Sequence, residues 1–195
     1  MANSPSIEGH HIIVGLTGGI ACYKVADLVS KLVQCGATVQ VLMTDAATKF
    51  IAPLTFASLS SRAVFDSQWC FVEGHDPQHI RIAKSADAML IAPCTMNMLA
   101  KLAHGMTDDP VSLVASAIDR RHTPVLLAPS MNATMFQQPA TKRNLTTLSE
   151  DGYEIQMGQE GWQACKTVGK GRMAEPLDLL DALKGALTKN TPLSS

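Results

Sequence analysis

Four short apolar segments that alternate with helical patterns constrain the fold of this chain more than any other feature. The segments are Ile12–Leu16, Thr38–Met43, Ala88–Ala92 and Val125–Ala128. The helical patterns are Ile20–Gln34, a stretch ending near Ala103, Ala140–Ser149 and Leu177–Leu187, and a short strand is expected near Tyr153–Gln156. Apolar strands that alternate with helices are typical of a parallel sheet covered on both faces. The sequence therefore predicts an α/β fold, with a single-domain open parallel sheet and helices on both faces, flavodoxin-like or Rossmann-like.

The chain offers no clear domain boundary. We predict one domain over residues 1–195, with an ordered core at about residues 10–187. The region from Phe50 to Asp87 is less regular, with helical turns and a weak strand near Ala63–Phe65. Residues 158–173 are punctuated by glycines and too polar for a core, which predicts a flap of the kind that often carries function.

Composition and charge exclude several classes of protein. Of the 195 residues, 46% are hydrophobic and 17% are charged, which argues against disorder. The formal net charge of -1 provides no field for a polyanion, so we expect no nucleic-acid partner. No apolar stretch approaches the ~20 residues that span a bilayer, and the first ten residues are polar. We therefore expect a cytoplasmic protein without a membrane partner.

The cysteines and histidines do not indicate a metal site or a disulfide framework. The five cysteines are scattered, with no CxxC pair, which favours free thiols. His75 and His79 have the i, i+4 spacing of ligands on a helix, but Gly74 and Pro77 disfavour a continuous helix there. We expect no metal.

Small and hydroxyl-bearing residues follow each of the four apolar segments. They form Thr17-Gly18-Gly19, Thr44-Asp45-Ala46, Ala92-Pro93-Cys94-Thr95-Met96-Asn97 and Ala128-Pro129-Ser130-Met131-Asn132. In an open parallel sheet these segments meet at one edge, where such folds bind ligands. Small residues let backbone N–H groups approach a ligand, and helix N-termini favour phosphate. The pattern predicts a cofactor that carries phosphate, although Gly18-Gly19 fits neither the GxGxxG dinucleotide motif nor a phosphate loop.

Other residues allow two interpretations at this stage. Asn97 and Asn132 are either ligand contacts or helix caps. Methionines at the strand ends, Met96, Met98, Met131 and Met135, are either ligand contacts or adaptable core packing. A lone histidine such as His79 is more often structural than catalytic, whereas Cys165 lies within the predicted flap.

At these same segments the chain resembles the flavin-containing cysteine decarboxylases. The resemblance extends from about His11 to Pro176. Its carriers are Thr17-Gly18-Gly19-Ile20-Ala21, residues 43–50, His79-Ile80, residues 92–97, Pro129-Ser130-Met131-Asn132-Ala133-Thr134-Met135, Ala164-Cys165 and Gly171-Arg172-Met173. The combination of the proline–methionine–asparagine block with a matching histidine and a cysteine flap is highly specific.

The resemblance implies FMN as cofactor and assigns site residues. Those expected to contact FMN are Gly18, Gly19, Ile20, Thr44, Asp45, Ala46, Thr95, Met96, Asn97, Met98 and Ser130. His79 is implied as the base that assists substrate oxidation and Cys165 as a proton donor. Asn132 is implied to hold the substrate carboxylate, and Trp162, Ala164 and Met173 to touch the substrate.

The activity implied by the resemblance is that of a carboxy-lyase, converting 4'-phospho-N-pantothenoylcysteine to 4'-phosphopantetheine in coenzyme A biosynthesis. The cysteine side chain is oxidised to a thioaldehyde by hydride transfer to FMN, and loss of CO2 leaves an enethiolate. The electrons then return while a thiol supplies a proton. Alternatives are a peptidyl-cysteine decarboxylase of lantibiotic maturation, which stops at the enethiol, and a non-catalytic flavin-binding regulatory subunit.

The resemblance also implies a homo-oligomer, a trimer or a multiple of three, with FMN near a subunit interface. The resemblance stops before the phosphopantothenate–cysteine ligase domain that follows in many bacterial members. Joining phosphopantothenate to cysteine then requires either a separate ligase or a longer chain.

Overall fold

A five-stranded parallel sheet forms the centre of the structure, a computed structural model that describes residues 6–69, 77–162 and 168–190. The strands are β1 (His11–Leu16), β2 (Thr38–Met43), β3 (Ala88–Cys94), β4 (Val125–Pro129) and β5 (Glu154–Ile155). Their order in the sheet is β2-β1-β3-β4-β5. All four pairings are parallel, which confirms the predicted open parallel sheet.

Helices cover both faces of this sheet. They are α1 (Cys22–Gln34), α2 (Asp45–Thr48), α3 (Pro53–Ser60), α4 (Gln78–Lys84), α5 (Met96–Ala103), α6 (Pro110–Ala117), α7 (Ala133–Gln137), α8 (Pro139–Glu150) and α9 (Pro176–Asn190). Buried side chains of α1, α3 and α9 share one apolar cluster with the sheet. Those of α4, α5, α6 and α8 share a second cluster. The α/β class with helices on both faces is therefore confirmed.

The central strands are apolar throughout because successive side chains enter different clusters. In β1, Ile12 and Val14 belong to the first cluster and Ile13 to the second. All three are at most 2% exposed. Burying each such side chain contributes about 1.5–3 kcal/mol, so the sheet centre is the main source of stability.

The helix α1 begins two residues later than its pattern predicts and ends where expected. Gly19–Ala21 form a turn before Cys22, in which the Cys22 N–H donates to the carbonyl of Gly19. The helix ends at Gln34, and Gly36 adopts a φ of 85°, a left-handed conformation that glycine adopts without strain. The turn keeps Gly19 and Ile20 outside the helix, at the edge of the sheet.

The region between Phe50 and Asp87 contains α3 and α4 where only helical turns were expected. A single bridge joins Leu42 to Phe65, at the end of the predicted weak strand. Helical periodicity also fails to predict α6. Its sequence, PVSLVASA, is mostly apolar, so the apolar residues do not mark out a single face of a helix. Its start is fixed by Asp109, whose carboxylate accepts hydrogen bonds from the N–H groups of Val111 and Ser112.

The predicted flap region contains an antiparallel pair of two-residue strands, β6 (Gly161–Trp162) and β7 (Val168–Gly169). A further bridge joins Met157 to Met173 at the base of this hairpin. Within the described ranges, none of the helices is both long and apolar enough to cross a lipid bilayer.

Candidate functional site

A cleft of about 910 Å³ lies at the carboxyl ends of β1 to β4, the edge where open parallel sheets bind ligands. Its volume is within the range of small-molecule and cofactor sites. Fourteen of the site residues expected from the sequence line it: Gly18, Gly19, Ile20, Thr44, Asp45, Ala46, Thr95, Met96, Asn97, Met98, Ser130, Asn132, Trp162 and Met173. The structure thus brings together segments that are far apart in the sequence, from Gly18 to Met173.

A buried threonine joins two of the strand ends. The Thr17 hydroxyl donates to the carbonyl oxygen of Pro93 at 2.6 Å. The Thr17 hydroxyl oxygen in turn accepts a hydrogen bond from the Thr95 N–H at 3.0 Å. Thr17 is 2% exposed, so both bonds are shielded from water. They fix the loop after β1 against the loop after β3, which positions the Gly18-Gly19 turn beside Thr95.

Gly18 and Gly19 let other groups come close to the backbone: Ala46 at Gly18 and a ligand at Gly19. A Cβ on Gly18 would lie 2.5 Å from the Cβ of Ala46, so only glycine fits between the first two strand ends. A Cβ on Gly19 would meet nothing nearer than Pro93 Cγ at 3.6 Å. Gly18 is therefore required by the protein's own packing, whereas Gly19 leaves its backbone accessible from the cleft.

Three short helices begin at the cleft, each with a side-chain cap. Thr44 accepts from the Ala47 N–H, Thr95 from the Met98 N–H, and Asn132 from the Thr134 N–H at 2.8 Å. Of the two asparagines, Asn132 caps a helix and Asn97 does not, since Asn97 is the second residue of α5. The first N–H groups of a helix lack intrahelical partners and attract anions.

The methionines of the strand ends differ from one another. Met98 is buried in the second apolar cluster although it also borders the cleft, so its main role is packing. Met135, in contrast, is exposed at the cleft.

One wall carries an ion-paired lysine. The Lys101 ammonium lies 2.8 Å from a carboxylate oxygen of Asp108 and 2.8 Å from one of Asp109. Burial lowers the pKa of Lys101, but the hydrogen bonds and charges of the two aspartates outweigh this and raise it. The hydrogen bond from Lys101 lowers the pKa of Asp108. Because the two carboxylates both face one ammonium, this cluster adds no net positive charge to the cleft.

The opposite wall is formed by the hairpin and the segment that follows it. The Met131 N–H donates to the carbonyl of Gly171 at 2.9 Å, which ties the segment to the loop after β4. Trp162 is exposed and Met173 is buried, and both line the cleft. This wall thus lies beside Asn132.

The shape and donors of the cleft fit a flavin. Glycine and alanine at the first two strand ends leave backbone exposed, which lets N–H groups approach a phosphate or a ring. Ile20 is exposed at the cleft, providing apolar surface for a planar ring system. Among the described residues, no group of three or more His, Cys, Asp or Glu is placed to hold a metal ion.

One described residue that was expected in the site, His79, does not line this cleft. His79 lies on α4, whose Gln78 and Arg81 line a separate cavity of about 590 Å³ with His11 and Thr38. His11 and Thr38 are the first residues of β1 and β2. The second cavity therefore lies at the amino ends of the strands, opposite the cleft. Ala164 and Cys165 lie outside the described residues.

Several residues of the site do not follow from the sequence patterns. Thr17 belongs to a strand-end segment that the pattern predicts, but the hydrogen bonds by which it joins two strand ends do not follow from that pattern. Lys101 and Asp109 pair across eight positions that join two helices, a spacing that no local pattern signals. Lys24 and Arg172 also line the cleft.

The fold and the cleft define an α/β protein with a site of cofactor size at the carboxyl edge of its sheet. The sequence matches the Flavoprotein family over residues 1–188. The chain belongs to this family, which supports a flavin as its cofactor.

Individual relatives extend this classification. The chain is 40% identical over 193 residues to the coenzyme A biosynthesis bifunctional protein CoaBC of Haemophilus influenzae, covering 96% of this chain and 46% of that protein. It therefore spans less than half the length of that relative.

Two solved structures share the fold and more than a quarter of the sequence. One is a cysteine-to-serine mutant of PPC decarboxylase complexed with pantothenoylaminoethenethiol, with TM-score 0.80 and 26% identity, covering 92% of this chain and 98% of that one. The other is the FMN-dependent cysteine decarboxylase SpaF, with TM-score 0.79 and 26% identity, covering 95% and 99%.

Proposed function

We propose that this chain decarboxylates 4'-phospho-N-pantothenoylcysteine to 4'-phosphopantetheine with FMN as cofactor, in coenzyme A biosynthesis. The observation that carries the proposal is one cleft shared by the strand-end segments, Asn132, Trp162 and Met173. The similarity to a coenzyme A biosynthesis protein and to a PPC decarboxylase supports the substrate. The FMN-dependent cysteine decarboxylase supports the choice of FMN.

The strand-end segments would hold FMN. Backbone N–H groups around Gly19 and at the helix starts capped by Thr44 and Thr95 suit the phosphate and the polar ring edge. Ile20 and Met96 suit the faces of the ring. When bound, FMN supplies reversible hydride acceptance, which no side chain of the protein provides.

Asn132 is suited to orient the substrate. Its side-chain oxygen accepts the capping hydrogen bond from Thr134, which fixes the orientation of the amide. We assign its NH2 group to donate to the substrate carboxylate. A neutral donor holds that carboxylate without forming a tight ion pair, so loss of CO2 is not opposed by a buried counter-charge. Trp162 and Met173 would enclose the rest of the cysteine and exclude water.

His79 requires a second copy of the chain in this proposal. It does not line the cleft of its own chain, but α4 is short and at the surface, and His79 is only partly buried. We propose a homo-oligomer, a trimer or a multiple of three, in which α4 of one copy reaches the cleft of the next. There the imidazole would accept a proton as the substrate thiol is oxidised. Cys165 is proposed as the later proton donor from the family resemblance alone.

The test is to incubate the flavin-loaded protein with 4'-phospho-N-pantothenoylcysteine and to measure CO2 and the product mass. We expect CO2 and 4'-phosphopantetheine in equal amounts. A product two hydrogens lighter would favour the peptidyl-cysteine type of chemistry, and no CO2 would favour a non-catalytic flavin-binding subunit.

Variants separate the roles within this reaction. His79→Asn should keep the flavin but lose substrate oxidation, because asparagine cannot act as a base near neutral pH. His104→Asn is the matched control, since His104 is exposed at the end of α5 and does not line the cleft. Flavin bleaching by His79→Asn at the wild-type rate under anaerobic conditions would assign His79 to structure.

A further inference from the structure

Two cationic side chains of the cleft share a single carboxylate. The Lys24 ammonium lies 2.7 Å from Oε1 of Glu175, and Nη2 of Arg172 lies 2.9 Å from the same oxygen. The Lys24 and Arg172 side chains are 17% and 34% exposed, so both are partly withdrawn from water. This group of three carries one more positive than negative charge, inside a concave site.

The other charges that line the cleft do not give such an excess. Lys101 is matched by both Asp108 and Asp109. Asp45 is within 3.4 Å of Lys49. Among the described residues of the cleft, the excess of positive charge is therefore located at Lys24 and Arg172. A partly desolvated cation that shares its counter-ion with a second cation is a favourable place for an anionic ligand.

Arg172 lies on the hairpin wall, not among the strand ends. A Cβ on Gly161 would be 2.3 Å from its Nη1, so the guanidinium lies directly against the start of β6. Trp162 follows Gly161, and Gly171 is bonded to Met131, next to Asn132. Arg172 therefore lines the cleft together with Trp162 and Asn132, which are assigned to the substrate. It presents five N–H donors, and Glu175 engages them from one side only.

We propose that Arg172, supported by Lys24, binds the 4'-phosphate of the substrate and makes the enzyme selective for the phosphorylated compound. This inference rests on the proposed function. The substrate carries an anion at each end, and Asn132 is assigned to the carboxylate. The phosphate, with a charge near -2 at neutral pH, requires a second and cationic site. Arginine binds phosphate with paired, charge-assisted hydrogen bonds, and Lys24 adds a point charge.

The test combines removal of the charge with removal of the phosphate. Wild type and Arg172→Met are each assayed with 4'-phospho-N-pantothenoylcysteine and with N-pantothenoylcysteine. Methionine keeps an apolar side chain against Gly161 but has no charge. We expect Arg172→Met to lower kcat/KM about 10- to 100-fold for the phosphorylated compound, as for a lost charge-assisted bond, and to leave the other compound unchanged. Lys24→Met should act in the same direction with a smaller effect.

Controls separate this role from two others. Arg143→Met removes an exposed arginine of α8 outside the cleft and should change neither kcat/KM. Equal loss with both substrates would overturn the proposal and leave Arg172 as a residue that only positions the hairpin. Weaker binding of FMN but not of riboflavin to the apoprotein of Arg172→Met would also overturn it, because the cofactor's phosphate would then be the ligand.

A binding measurement keeps the inference independent of turnover. Titration calorimetry of the flavin-loaded protein with 4'-phosphopantetheine and with pantetheine should show tighter binding of the phosphorylated compound, lost in Arg172→Met. Decarboxylation of neither substrate by wild type would reject the proposed function. Equal affinity of wild type for the two ligands would reject the phosphate site, whatever the catalytic result.

Discussion

The two walls of the cleft are built differently. The sheet wall comprises the ends of β1 to β4 and is held by buried hydrogen bonds such as that from Thr17 to Pro93. The hairpin wall comprises residues 157–162 and 168–173, outside the parallel sheet, and its strands are two residues long. On the sheet wall, close contacts join backbone and Cβ atoms. At Gly161 on the hairpin wall, the close contact is with the end of a flexible arginine side chain.

This difference separates stability from selectivity. Changes at the tightly packed positions of the sheet wall, Gly18 and Thr17, disturb strand ends that are fixed against one another, so they reduce both cofactor binding and folding stability. Changes at Gly161 and Trp162 disturb few buried groups, so they alter what the cleft binds without unfolding the protein. Each prediction below breaks or sharpens this contrast.

The largest effect is expected at Gly18. Gly18→Val should destabilise the protein by about 3 kcal/mol, at the upper end for overpacking, because even a Cβ would lie 2.5 Å from Ala46 Cβ. Flavin binding should be lost as well. Gly19→Ala is the matched variant: its Cβ meets ordinary contacts, so stability should change little while flavin affinity falls. Urea unfolding of the apoproteins and flavin titration measure both. Equal stability of the two variants would contradict the packing argument.

Thr17→Val tests the hydrogen bonds that join the strand ends. Valine has nearly the same shape but leaves the Pro93 carbonyl and the Thr95 N–H without their partner. We expect a loss of about 2 kcal/mol in the free energy of unfolding, together with weaker flavin binding. Thr188→Val removes an exposed hydroxyl of α9 and should change stability by less than about 0.5 kcal/mol. If the two variants are equally stable, the Thr17 bonds do not fix the site.

A smaller effect is expected at the aspartates that hold Lys101. Asp109 is 11% exposed and also caps α6, so Asp109→Asn should cost about 1 kcal/mol. Asp108 is 60% exposed, so Asp108→Asn should cost less than about 0.5 kcal/mol at neutral pH.

The pH dependence of the Asp108 variant has a definite sign. Lys101 lowers the pKa of Asp108 in the folded state, so its contribution is present above the unfolded-state pKa of about 3.9. That contribution is lost as the pH falls through the folded-state value. Unfolding curves of wild type and Asp108→Asn should converge below that pH. A difference that grows toward acid pH would contradict the assigned cause.

The sequence predicts the sheet wall well and the hairpin wall poorly, for physical reasons. Strands such as Ile12–Leu16 carry their own signal, because burial on both faces demands unbroken apolar residues. The small residues after them indicate the cleft because topology alone places strand ends together. In the Arg172–Glu175–Lys24 group, Lys24 and Glu175 are 151 positions apart, and no local pattern encodes their contact. His79 shows a different limit of prediction from sequence. Its segment matches a family motif, but His79 lies on α4 and does not line the cleft of its own chain.

The smallest effect on stability is expected at Gly161, and it tests the hairpin wall directly. In Gly161→Ala the new Cβ would lie 2.3 Å from Arg172 Nη1, the far end of a flexible side chain, which can move away at little cost. We expect the free energy of unfolding to change by less than about 0.5 kcal/mol.

Gly158→Ala is the matched variant at the hairpin base. Its Cβ would lie 2.1 Å from the Arg172 carbonyl oxygen and 2.8 Å from the Ala174 nitrogen, backbone atoms that cannot move independently, so it should cost about 1–3 kcal/mol. In a Trp69→Phe background, the fluorescence of Trp162 should shift in Gly161→Ala, because the displaced guanidinium lies against the preceding residue and lines the same cleft as Trp162. If Gly161→Ala destabilises the protein as much as Gly158→Ala, the hairpin is as rigidly packed at Gly161 as at its base, and the contrast between the two walls fails.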